Sequence, residues 1–205
     1  MNDAVLKPIQ QHQRLLKQCE LCDDMTGPPV TGEAVVSPIM LIGQAPGFKE
    51  IEVHRPFSWT AGKTLFKWFS SIGVEEKDFR HAVYMAAVCR CYPGKKERGG
   101  DRVPDKEEIK NCSTWLHHEI ELLKPQLIIP VGKLAINQFI AFKKLTEVIG
   151  QRHKCELNKI QFDIIPLPHP SGVSTWHVTE PGKSLLGKAL NNISSHSAWR
   201  KIVSE

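Results

Sequence analysis

A chain of 205 residues, 41% hydrophobic and 24% charged, can close one substantial core, so residues 1–205 read as a single soluble domain. No run is apolar for long enough to cross a membrane, and the first residues lack a secretory signal's basic-then-apolar order; the expectation is a monomeric cytoplasmic protein. The net charge of +5 permits a nucleic-acid partner without demanding one.

Val5 to Lys17 carries Leu6, Ile9, Leu15 and Leu16 at helical spacing and runs into Cys19-Glu20-Leu21-Cys22. In a reducing compartment six cysteines argue for metal or catalysis over disulfides, and such a close pair can grip one metal centre from a single turn. Asp23 to Ser37, rich in Gly, Pro and Thr, reads as loop. Pro38 to Ile42 is short, β-branched and uncharged, a buried strand. It ends in the turn Gly43-Gln44-Ala45-Pro46-Gly47, whose glycines let a ligand approach the backbone. Gly47 to Trp59 reads as a long loop holding Glu50, Glu52, His54 and Arg55. A helix follows from near Ala61, with Leu65, Phe66, Phe69 and Ile72 on one face and Gly73 at its end.

Val83 to Val88 is a second buried strand, delivering Cys89 and Cys91 at its carboxyl end. The charged stretch Lys95 to Arg102 reads as a mobile insertion, and Pro104-Asp105 as a helix start. Ile109, Cys112, Leu116, Ile120 and Leu123 share one face, which turns Cys112 inward. Gln126 to Val131 is a third strand and Lys133 to Phe142 a helix. Lys159 to Leu167 is a fourth strand, leading into Pro168-His169-Pro170-Ser171-Gly172, and Gly182 to Val203 is a terminal helix. Strands alternating with helices predict an α/β fold, a three-layer αβα sandwich around a central, mostly parallel four-stranded sheet.

Two patterns are decoys. Ala61-Gly62-Lys63-Thr64 ends like a phosphate-binding loop, but that loop's first glycine would fall on Phe57. His117 and His118 are adjacent on a helix and point to different faces. The stronger signal is a conjunction. The turn after the first strand, Arg55-Pro56-Phe57, and His169-Pro170-Ser171-Gly172 would meet at the carboxyl edge of a parallel sheet, where ligands bind. Backbone amides, an aromatic face and a histidine suit a flat heterocycle stacked on Phe57.

Gly43-Gln44-Ala45-Pro46-Gly47, Glu50, Arg55-Pro56-Phe57 and Ala61-Gly62 resemble, in order and spacing, the first motif of uracil-DNA glycosylases. His169-Pro170-Ser171 resembles that superfamily's second motif, and the likeness runs from Cys19 to Gly172, nearest to the iron–sulfur (family 4) branch. The resemblance implies a 4Fe-4S cluster on Cys19, Cys22, Cys91 and Cys112, with Cys89 able to substitute for Cys91, Cys155 a bystander, and zinc as the alternative metal. The cluster would fasten the Cys-rich N-terminal segment and the insertion of residues 92–111 together. It also implies cleavage of an N-glycosidic bond on a nucleotide flipped from single- or double-stranded DNA. His169 would donate to the departing base, Phe57 would stack on it, and the amides of Gly43, Gln44 and Ala45 would bind its edge. Pro170, Ser171 and Gly172 would hold a phosphate, with Trp176 as a wedge.

Two departures bear on the chemistry. Gln44 replaces the branch's usual glutamate, and Ala45 stands where other branches place a catalytic Asp or Asn. Any general base must then be Glu50, Glu52 or His54, unless neutral groups such as Gln44 position the water. Ala87 occupies the place of the branch's base-reading Asn; losing a bidentate amide costs about 1–3 kcal/mol of discrimination. The expectation is a damaged or modified base other than plain uracil, or broad specificity. A non-catalytic reader of damaged DNA and a zinc-stabilised α/β protein with an unrelated ligand are the alternatives.

Overall fold

The computed structural model describes residues 3–97, 99–172 and 174–203; Arg98 of the insertion and Val173 after Gly172 lie outside them. Five strands, β1 (Ile39–Gly43), β2 (Tyr84–Ala87), β3 (Leu127–Pro130), β4 (His153–Leu157) and β5 (Ile160–Ile164), form one sheet in the order β2-β1-β3-β5-β4. β1 pairs in parallel with β2 and β3, and β3 with β5; β4 is antiparallel to β5.

Strand side chains alternate between faces, and here both faces are apolar. Ile39, Leu41, Met85 and Ile129 join one buried cluster, Met40, Ile42, Ala86 and Ile128 the other. The first cluster takes in α3 (Thr60–Ser70), α4 (Glu76–Ala82), α7 (Gly182–Ser195) and α8 (Ser197–Val203) through Leu65, Phe79, Leu190 and Trp199. The second takes in α1 (Asp3–Leu16), α5 (Lys106–Leu123) and α6 (Lys133–Asn137) through Ile9, Leu116, Ile120 and Ala135. No described helix is long and apolar enough to cross a membrane.

The sheet has five strands rather than the expected four. β4 is an edge strand whose residues alternate between half-buried and exposed, so no apolar run marks it. Asn158 and Lys159, both at positive φ (49° and 65°), turn it into β5, the strand expected from Lys159. The expected loop from Gly47 to Trp59 contains a short helix, α2 (Phe48–Val53), and α6 stops at Asn137, well before Phe142. The terminal helix breaks at His196, whose backbone is extended and whose Nδ1 accepts from the Ala198 amide at 3.2 Å, opening α8.

Asp105 starts α5 as expected: its carboxylate accepts from the Glu107 and Glu108 amides, and Glu108 returns a bond to the Asp105 amide. The insertion, expected to be mobile, is tied at several points. Lys96 donates through its amide to Gly100, Tyr92 Oη to Asp101 at 3.0 Å, and Arg102 pairs with Glu108.

Candidate functional site

Strand register brings the expected residues together. Gly43 and Ala87 are partners at the carboxyl ends of β1 and β2, and the Gly43 and Gln44 carbonyls accept from the Val88 and Cys89 amides at 3.0 Å. On the other side of β1, Val131 bridges to Leu167, which sets the His169 segment on the same sheet edge.

Phe57 lies against Gly43: a Cβ there would come within 2.9 Å of its Cζ. The Phe57 backbone is left-handed (φ 53°), costly for an aromatic residue. It is held by Arg80, which donates from Nη1 to the Pro56 carbonyl at 2.9 Å and from Nη2 to that of Phe57 at 3.0 Å. Gly62 makes room, since a Cβ on it would sit 1.8 Å from the Phe57 oxygen. Arg80 is buried, salt-bridged to Glu76 and placed over the Phe66 ring.

His169 packs on Gly132, whose φ of +86° and lack of a side chain both matter: a Cβ would lie 3.0 Å from the His169 Cδ2. The Ser171 amide donates to His169 Nδ1 at 3.2 Å. In the neutral ring the proton therefore sits on Nε2, which is a donor. Burial first, and then the nearby His177, push the His169 pKa down, so the ring is neutral at pH 7. Pro170 is buried, Ser171 half-buried and Gly172 exposed. Trp176 is half-buried against the core in a single turn, and the exposed apolar residue of that turn is Val178, at 60%.

The acid–base candidates are placed less directly. Both Glu50 oxygens accept main-chain amides, from Gly47 at 3.0 Å and Ser58 at 3.2 Å, so this carboxylate closes the loop between the motifs. Burial pushes its pKa up, against those bonds. His54 is exposed at the end of α2 in left-handed backbone, and Glu52 pairs with Lys49 on the surface. Gln44 and Ala45 are half-buried in the turn.

Cys19, Cys22, Cys91 and Cys112 line one cleft of about 370 Å³, with Met25, Pro29 and Arg90 in its wall. Cys89 is fully buried in the core beside it and shares a hydrogen bond with Cys112. That bond pushes Cys112 down and Cys89 up, while burial pushes Cys91 up to about 12. Among the described residues no three His, Cys, Asp or Glu side chains converge on a single ion. Four cysteines around one cleft are the usual donor set of an iron–sulfur group, and a set that zinc also accepts. Cys155 lies elsewhere, in a cleft with His196. His196 of that cleft is already engaged: its Nδ1 accepts the Ala198 amide and its Nε2 bonds Asp163 at 3.1 Å.

Arg80, Arg90 and Gly132 were not singled out by the sequence. Only Gly132 had a readable signal, a glycine at a strand's carboxyl end like Gly43.

The turn after β1, the Phe57 ring and His169 thus share the carboxyl edge of the parallel part of the sheet, where α/β folds bind ligands. Residues 29–192 match the model of the uracil DNA glycosylase superfamily, and the chain belongs to that superfamily. It is similar to the Type-4 uracil-DNA glycosylase of Pyrobaculum aerophilum, 29% identical over 174 residues, covering 80% of this chain and 84% of the relative. The Type-4 uracil-DNA glycosylases of Thermotoga maritima (29% identical; 82% of this chain, 83% of the relative) and Sulfurisphaera tokodaii (28%; 81% and 74%) are similarly related.

Proposed function

We propose that the protein is a monofunctional DNA N-glycosylase, a three-layer αβα sandwich that flips a damaged or modified base out of DNA and hydrolyses its N-glycosidic bond. It acts as a cytoplasmic monomer on single- or double-stranded DNA and leaves an abasic site. The observation that carries this reading is the bond from the Ser171 amide to His169 Nδ1. As the bond to the sugar breaks, negative charge grows on the departing base. A neutral Nε2–H on this half-buried ring stabilises that charge without having to lose a proton. Phe57, clamped over Gly43, stacks on the base, and the amides of Gly43, Gln44 and Ala45 meet its edge.

Gln44 positions the attacking water as a neutral group. The alternatives in sequence are weaker: Glu50 is committed to two amides and His54 is exposed. Pro170, Ser171 and Gly172 grip the phosphate beside the flipped nucleotide, and Trp176 supports the vacated stack. Cys19, Cys22, Cys91 and Cys112 would hold a 4Fe-4S cluster, which supplies a fastening between the N-terminal segment, the insertion and α5. Ala87 offers no side-chain amide at the base edge, so the substrate is a deaminated purine or modified pyrimidine in preference to plain uracil. Ala87→Asn should then raise uracil excision, and an unchanged rate would sink this preference.

The test uses labelled single- and double-stranded oligonucleotides carrying uracil, hypoxanthine, xanthine or a modified cytosine, with alkali cleavage scoring abasic sites. Cleavage at one base, lost on His169→Ala, supports the glycosylase. Binding without cleavage at any base would refute it in favour of a non-catalytic reader.

A further inference from the structure

Arg90 lies between two cysteines and is 1% exposed. A buried guanidinium is expensive unless its donors are used. Nε donates to the Ala87 carbonyl at 2.9 Å, and Nη2 pairs with Glu119, itself fully buried. Glu119 also accepts from Tyr84 Oη at 2.7 Å and lies 3.4 Å from His12 Nε2. Nη1, by contrast, is buried with no hydrogen-bond partner among the described residues. Arg90 also forms part of the wall of the four-cysteine cleft, and its backbone amide donates to Cys112. A buried cation that acts on the charge of Cys112, keeps an unpartnered Nη1 and helps to wall a four-cysteine cleft favours an anionic, sulfur-rich occupant.

We propose that Arg90 Nη1 is the protein's hydrogen-bond donor and counter-charge to the cluster, setting its reduction potential and its retention. Through Nε the same side chain ties the cleft to Ala87 at the edge of the base pocket. The proposal rests on the cluster reading above. Hydrogen bonds and positive charge near cluster sulfur favour the more negative, reduced state and so raise the potential.

The experiment compares the intact protein with Arg90→Lys, Glu119→Gln and the pair Arg90→Gln/Glu119→Gln. The pair removes both buried charges at once, which protects folding where a lone Arg90 loss would strand the carboxylate. The measurements are iron and acid-labile sulfide content, reduction potential by EPR-monitored titration, and the rate of bleaching in air. Arg90→Lys and the paired variant should lower the potential and bleach several-fold faster. Glu119→Gln leaves the guanidinium in place with its charge unopposed, so its potential should rise. A merely structural Arg90 would move all three variants the same way, and that result overturns the proposal. So does an iron-loaded protein whose potential and bleaching ignore Arg90, which leaves the cluster reading standing. Zinc without sulfide in the intact protein would overturn both.

Discussion

Arg80→Met tests whether the pocket depends on a residue that touches no substrate. Arg80 holds the Pro56 and Phe57 carbonyls from one guanidinium, at 2.9 and 3.0 Å. Hydrogen bonds from a charged donor contribute about 1.5–3 kcal/mol each. Left-handed backbone at Phe57 opposes them with a cost of order 1–3 kcal/mol. With the clamp present the strained conformer wins; methionine preserves the packing over Phe66 and removes both bonds. A net loss of about 2 kcal/mol in the stacking-competent state corresponds to roughly a 30-fold fall in catalytic efficiency. If the same ~2 kcal/mol is lost from the fold, Tm drops by roughly 4–8 °C for a chain of this size. The assay is single-turnover excision on the responsive oligonucleotide, with melting followed in parallel. A cycle with Phe57→Ala isolates the route: once the ring is gone, Arg80→Met should cost little more. A rate within threefold of the parent protein, or full additivity in the double variant, would refute the clamp.

Gly132→Ala adds a Cβ 3.0 Å from His169 in backbone that disfavours side chains, so activity should fall at least tenfold with Tm lowered by several degrees. The His169 pKa is depressed below 6.5, so its neutral form favours folding above that pH, and this contribution fades as pH falls through the folded value. Excision should accordingly stay level from pH 8 to about 6.5 and fall below it; a profile rising toward acid would contradict a neutral donor. Cys91→Ser should lose iron while Cys89→Ser and Cys155→Ser keep it, measured by metal content and visible absorption. Glu50→Gln leaves one of two loop amides without an acceptor, which costs about 1–3 kcal/mol in a denaturant melt. If Glu50 were instead the general base, the rate would collapse far beyond that stability loss.

What could be read from the sequence follows from how each segment is buried. β1 and β3 are enclosed on both faces, so they show as uninterrupted apolar runs. β4 buries half of one face and shows nothing. α4 was missed because Phe79 is its one large buried apolar side chain, yet it carries Arg80. The candidate site was legible where it depends on residue type, as at Gly43, Phe57 and His169, which the fold gathers on one sheet edge. It was illegible where side chains act on main-chain carbonyls, as Arg80 and Arg90 do, because such bonds leave no periodicity or spacing. Cys89 and Cys91 were indistinguishable by spacing; their separation into core and cleft came from the backbone past β2.

Tyr92 follows Cys91 and exchanges backbone bonds with Thr26, at 2.8 and 2.9 Å, while its ring meets Phe48 edge-on and its hydroxyl bonds Asp101. Val30 donates to the Arg90 carbonyl two residues earlier in the chain, at 2.7 Å. The N-terminal segment is thereby stitched to α2, which follows the turn after β1, through the residues flanking one cysteine. Amide exchange at Thr26, Val30 and Tyr92 should therefore report a single opening event, and the same event should loosen Gly47. Native-state hydrogen exchange would then report on the packing around the four-cysteine cleft from the sheet edge that carries Gly43 and Gly47.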